Sequence, residues 1–347
     1  MKNKIAILII VASLCSVYYH NVKTAVVRGP HLEYKAASYL NPQLGLKTMN
    51  NEQKYFWKGR IISCSIAGMF CYLSGSDAVK FYEAQKKFIS NKNQENYNKY
   101  VVEIIKLGTA IGAFSATVLF ITLLVIVLYA NNPLFFIFGF CAALQYAWLP
   151  MSEGQVNPWD QFAILSWLII LLVDQSKYRM QILWMIPLFS ALKETTIVLS
   201  VLILFWGNVP IKKRIGLFLL SCGATVLIKV ALSYIGGSGH ILTNQSWHYE
   251  TKCRTGEYWI IERNFHSLGW WSDFNPIYFS ISGLWAALFL MPVPVKYKAI
   301  GAAYLVSIFG ILPGNTTEGR LWQELIPLFF VGYENKRINI NALKGVS

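Results

Sequence analysis

Charge is scarce in this chain: Asp, Glu, Lys and Arg make up only 14 % of 347 residues, against roughly 25 % in ordinary soluble domains. So few charges cannot cover a soluble surface. Acidic residues are the rarer sign, 17 against 31 basic, which leaves a formal net charge of +14. Metal-binding or redox cysteine patterns are lacking too. Of Cys15, Cys64, Cys71, Cys141, Cys222 and Cys253, five lie in apolar segments, and no CxxC or Cys/His ligand spacing occurs. They read as small core hydrophobes. No internal repeat or low-complexity tract is visible. A secreted disulfide scaffold, a nucleic-acid-binding domain and a disordered tail are all excluded.

What is abundant is apolar sequence, 55 % of residues, with a mean hydropathy of +0.42. About 20 apolar residues cross a bilayer, so the chain reads as an all-α polytopic membrane bundle of about 9–10 spans forming a single domain, 1–347. Lys2 and Lys4 before the run 5–19 resemble a signal sequence, but no small-residue cleavage site follows, which predicts an uncleaved anchor. The run 61–75 is short for a span and suits a re-entrant or interfacial helix. Further runs are 107–130, 133–149, 162–173, 181–192, 195–206, 215–235, 277–292, 299–312 and 325–333. Outer-face elaborations are expected at 20–100 and 237–274.

Short loops rich in Lys and Arg face the cytoplasm. Lys177 with Arg179, the run Lys212-Lys213-Arg214, Lys296 with Lys298, and Lys336 with Arg337 mark the inner side. Parity then runs 107–130 inward and keeps 61–75 from crossing, which puts the Lys-rich 76–100 segment outside. The alternative lets 61–75 cross and makes 133–149 re-entrant. Excess positive charge is expected to meet anionic lipid head groups and phosphorylated lipids.

Ionisable groups beside spans are functional candidates because their burial is costly. Asp160 opens a span, either as a plain helix N-cap or as a carboxylate at an outer cavity that meets a metal, a sugar hydroxyl or an acceptor. Lys193-Glu194-Thr195-Thr196 breaks two short apolar runs. It reads either as a charge pair serving broken helix ends or as a lipid-phosphate site at Lys193. Glu318, Arg320, Trp322 and Glu324 crowd one outer turn, as an internal salt bridge or as an anion site built on Arg320. Lys229 lies near the outer third of its span and can snorkel outward. In the first outer loop, Glu33 is a candidate general base, and Tyr55, Trp57 and Arg60 form an aromatic and basic cluster. Trp247, His248, Trp259 and His266 give 237–274 the makeup of a carbohydrate-facing lid or a membrane-docking surface. His240 and His248 lack ligand spacing, so no metal site is read there. A divalent cation stays an open alternative as cofactor.

Taken in order, these features resemble the GT-C superfamily of polytopic glycosyltransferases, which use polyprenyl-phosphate-linked sugars at the outer membrane face. The features are the anchor, the polar first loop, the Tyr55–Arg60 segment, Asp160, the Lys193-Glu194-Thr195 break, and the Glu318-x-Arg320-x-Trp322-x-Glu324-Leu-x-Pro327 turn. The resemblance implies that Asp160 is a second-loop carboxylate and that Lys193, Arg320 and Arg60 contact the donor phosphate. Glu194, Glu318, Glu324 and Trp322 would support them. The family's first-loop catalytic Asp has no counterpart here, since 20–60 contains no Asp, and Glu33 is the replacement candidate. The implied function is sugar transfer to a surface glycan or lipid-linked acceptor at the bacterial inner membrane, active face outward. A surface-polysaccharide polymerase, a transporter or flippase, and a subunit of a larger synthase are the alternatives.

Overall fold

The computed structural model describes residues 2–28, 61–129, 158–235, 288–290, 293–307, 324–328 and 331. Those residues are overwhelmingly helical and include no strand. Three helical stretches, Ile7–Val26, Gln94–Ile126 and Ile211–Leu232, are long and apolar enough to cross a membrane. The chain divides into two compact units, Met1–Leu165 and Ser166–Ser347.

In the first unit, α1 (Lys2–Arg28) continues past the apolar run expected to end near Tyr19. Its polar second half is helical too, and its side chains find partners along the helix itself. Asn21 Nδ2 donates to the Val17 carbonyl at 2.8 Å, as Ser13 does to that of Ile9 at 2.7 Å. Helix α2 (Ile61–Leu73) ends in a turn where Gly75 takes φ +67°, the left-handed region open to glycine. Asp77 then caps α3 (Ala78–Ser90), accepting from the Val79 and Lys80 amides at 2.8 and 3.4 Å.

Helix α4 (Gln94–Tyr129) starts where the Asn93 side chain accepts the Asn96 amide at 2.8 Å. At 1.5 Å per residue its 36 residues extend about 54 Å, well beyond the roughly 30 Å of a hydrocarbon core. Its charges, Glu95, Lys99, Glu103 and Lys106, all sit in the first turns, and none follows Lys106. Lys99 pairs with Glu95 at 2.6 Å and Lys106 with Glu103 at 2.8 Å. That charged part carries α3 folded back on it: Phe88 stacks on Tyr100 at 5.5 Å, and Gln85 Nε2 donates to the Tyr100 hydroxyl at 3.1 Å. The stretch expected to be an outer loop, 20–100, is therefore mostly helix where it is described. A stripe of Phe81, Gln85 and Phe88 packs inward, which leaves its lysines at the surface. Helix α2 instead packs along the uncharged part of α4, with Phe70 edge-on to Phe114 at 5.5 Å. Helix α1 lies antiparallel to α4, with Ala25 beside Gly108 and Tyr18 beside Gly112.

Helix α5 (Pro158–Asp174) carries the division between the units. In the second unit a 3-10 turn (Arg179–Gln181) leads into α6 (Ile182–Leu192). Lys193 follows in extended conformation, and then a 3-10 run (Glu194–Ser200) passes into the short α7 (Val201–Leu204). An apolar span was expected over 195–206. The β-branched Thr195-Thr196-Ile197-Val198 disfavours a regular α-helix, and the tighter 3-10 form takes its place. Helices α8 (Ile211–Ile235) and α9 (Val295–Val306) pack beside this segment.

Three of the loops expected on the inner side meet at one end of this unit. Asp174, 3 % exposed, receives Lys296 Nζ at 2.6 Å and Trp206 Nε1 at 3.0 Å. The Arg179 guanidinium covers the Trp206 ring at 5.6 Å. Arg214 Nη1 donates to the Leu204 carbonyl at 3.1 Å. Asp174→Ala strands a buried indole N–H, while Lys296, 24 % exposed, can turn to water. The expected cost is about 1–3 kcal/mol, read as a lower unfolding midpoint in detergent. An unchanged midpoint would mean that Asp174 does not hold this end together.

Candidate functional site

Lys193 terminates α6, its backbone N–H still bonded to the Phe189 carbonyl at 2.9 Å. The Thr196 amide reaches the Lys193 carbonyl at 3.2 Å, so the chain turns at once into the 3-10 run. This break is buried: Lys193 is 2 % exposed and Thr196 0 %. Lys193 Nζ lies 3.4 Å from Glu324 Oε1, and Glu324 is fully buried. Next in sequence, Glu194 faces another way and meets Lys229 of α8 at 3.9 Å, both side chains being part-exposed.

Four of the charges picked out in the sequence are thus brought into two pairs around one helix break. Lys193 and Glu194 do not neutralise each other, because the extended residue between the two helical arms points their side chains to different neighbours. Glu324 pairs with Lys193; the salt bridge expected within its own turn, with Glu318 and Arg320, lies outside the described residues. Asp160 is the third residue of α5, and its side chain lies outside the description. Glu33, Arg60, Glu318, Arg320, Trp322, Trp247, His248, Trp259 and His266 lie outside the described residues.

Sequence reasoning passed over three hydroxyls at the same break. Ser190, Thr195 and Thr196 are buried, and their side-chain oxygens have no hydrogen-bond partner. Threonines next to a charged break are the available signal. Thr195 and Thr196 suit a helix start on sequence grounds, and Ser190 carries no sequence signal of its own. Among the described residues no group of three or more His, Cys, Asp or Glu side chains could hold a metal ion. Of the cysteines, Cys71 is buried, Cys222 is half-buried and Cys15 is exposed, so the core reading fits Cys71 best.

Three helices long and apolar enough to cross a bilayer, in a chain so short of charge, point to a membrane protein. No known protein family, curated protein or solved structure matches the chain.

Proposed function

We propose that the chain is an integral membrane glycosyltransferase. It moves a sugar from a polyprenyl-phosphate-linked donor to a surface glycan or lipid-linked acceptor at the outer face of the bacterial inner membrane. The observation that carries this reading is the Lys193 to Glu324 pair at 3.4 Å. It joins two distant segments on which the GT-C resemblance rests, the Lys-Glu-Thr break and the Glu-Leu-x-Pro turn, as a shared site requires.

In this reaction a carboxylate, Glu33 or Asp160, takes the proton of the acceptor hydroxyl. The freed oxygen bonds to C1 of the sugar with inversion as the bond from C1 to the phosphate oxygen breaks. Polyprenyl phosphate leaves with the electron pair, and Arg320 and Arg60 hold its charge. Lys193, whose charge Glu324 balances, contributes N–H donors.

Mass spectrometry of surface glycans from the host with and without the gene tests this reading. Loss of one hexose-sized unit per repeat is expected, with Arg320→Ala reducing transfer by about 100-fold. Loss of long chains with a single repeat surviving would indicate a polymerase. Glycans unchanged by deletion would overturn sugar transfer. A transporter or flippase is the second reading, favoured by the broken segment 182–204 with its buried ion pair. It predicts that lipid-linked sugar accumulates on the inner leaflet when the gene is removed.

A further inference from the structure

The two arms around Lys193 leave from and return to the same end of their unit. Arg179, just before α6, covers Trp206, just after α7, and Trp206 is bonded to Asp174. The first arm, α6, has 11 residues, about 16 Å at 1.5 Å per residue. The second has a 7-residue 3-10 run and 4 residues of α7, about 20 Å with the longer 3-10 rise. Neither arm reaches across a hydrocarbon core of roughly 30 Å. With Asp174, Arg179, Lys296 and Arg214 marking one interface, the Lys193 tip stands near the middle of the bilayer.

A tip at that depth is surrounded by polar groups that dry packing would leave unsatisfied. The hydroxyls of Ser190, Thr195 and Thr196 are buried without a partner, and such groups in folded proteins mark water or a ligand. The near end is closed by the Asp174, Lys296 and Trp206 contacts. On the far side of the tip stand Glu194 and Lys229, 18 % and 19 % exposed, which makes that side the route in. Among the described residues, the charges at the tip are Lys193 and Lys229 against Glu194 and Glu324. Ammonium and carboxylate groups ringed by hydroxyls suit a hydroxyl-bearing ligand such as a sugar ring, which both donates and accepts hydrogen bonds.

We infer that 182–204 is a re-entrant hairpin whose tip forms a hydrated site for a hydroxyl-bearing ligand, open to the membrane face opposite Asp174. This rests on the membrane reading and not on sugar transfer, so its test reads out whether or not the protein is an enzyme. Thr195→Cys and Ser190→Cys, each in the full chain in sealed membrane vesicles, are treated from either face with a membrane-impermeant methanethiosulfonate. The modified peptide is quantified by mass spectrometry, with Lys177→Cys marking the Asp174 face. At least one tip cysteine is expected to react from the face opposite Lys177→Cys. Free hexose added on that side should slow the reaction, after normalisation to a free thiol. Reaction of neither cysteine in monodisperse protein, or reaction from the Lys177 face, would overturn the hydrated re-entrant tip. No slowing by hexose would overturn the hydroxyl-bearing-ligand assignment.

Discussion

Lys193→Met is expected to destabilise the protein by about 3–5 kcal/mol, because it leaves the fully buried Glu324 carboxylate without its ammonium partner. The cost comes from the stranded charge and not from lost packing, since methionine keeps most of the lysine stem. Adding Glu324→Gln to the same variant removes that charge and should return most of the loss. Glu194→Gln breaks a longer, part-exposed pair and should cost less than about 1 kcal/mol. Denaturant titration in mixed micelles, followed through tryptophan fluorescence, measures all three variants against the parent. If the double variant were as unstable as Lys193→Met, the pair would not be coupled and the 3.4 Å contact would carry no weight. If Lys193→Met cost nothing, the two groups would share no buried charge.

Much of the helical framework could be read from hydropathy and charge placement, since each apolar run must satisfy its own backbone as helix. The basic loops were legible as a charge pattern: Lys177, Arg179, Lys296 and Arg214 stand in short polar breaks between apolar runs, and three of these loops meet around Asp174 and Trp206. The candidate site was legible only as separate pieces. Nothing periodic links Lys193 to Glu324, and a charge pair between residues so far apart in sequence is created by packing alone. The extension of α1 past Tyr19 was missed because His20, Asn21, Lys23 and Thr24 look like loop residues until Asn21 is seen bonding back to Val17. The 3-10 character of 194–200 was within reach, given its β-branched run, but hydropathy alone reads that run as one more span.

Gly112→Leu should separate α1 from α4 at a cost of about 3 kcal/mol, the upper end of what overpacking produces. A Cβ at Gly112 would sit 3.0 Å from the Tyr18 carbonyl oxygen and 3.4 Å from its Cα, and one at Gly108 would sit 2.8 Å from the Ala25 Cβ and 3.2 Å from the Val22 Cα. The Tyr18 ring carbon Cδ2, also 3.0 Å from a Cβ at Gly112, can swing aside, but the other neighbours are backbone or the first side-chain atom, so no rotamer change relieves them and the helix as a whole must move. Gly108 and Gly112 are four residues apart, the small-xxx-small spacing by which apolar helices approach closely in lipid. Only 17 % of the apolar window of α1 is buried, which makes this seam its main attachment. Gly223 on α8 provides the contrast, since a Cβ there meets nothing within 4 Å. Gly223→Leu should be neutral or stabilising by up to about 1 kcal/mol, the helix-propensity gain over glycine. Thermal unfolding of both variants in the same detergent separates the explanations. A large drop for Gly112→Leu alone locates the cost in the α1 to α4 seam. Equal small changes would mean that α1 is held by something other than these two glycines.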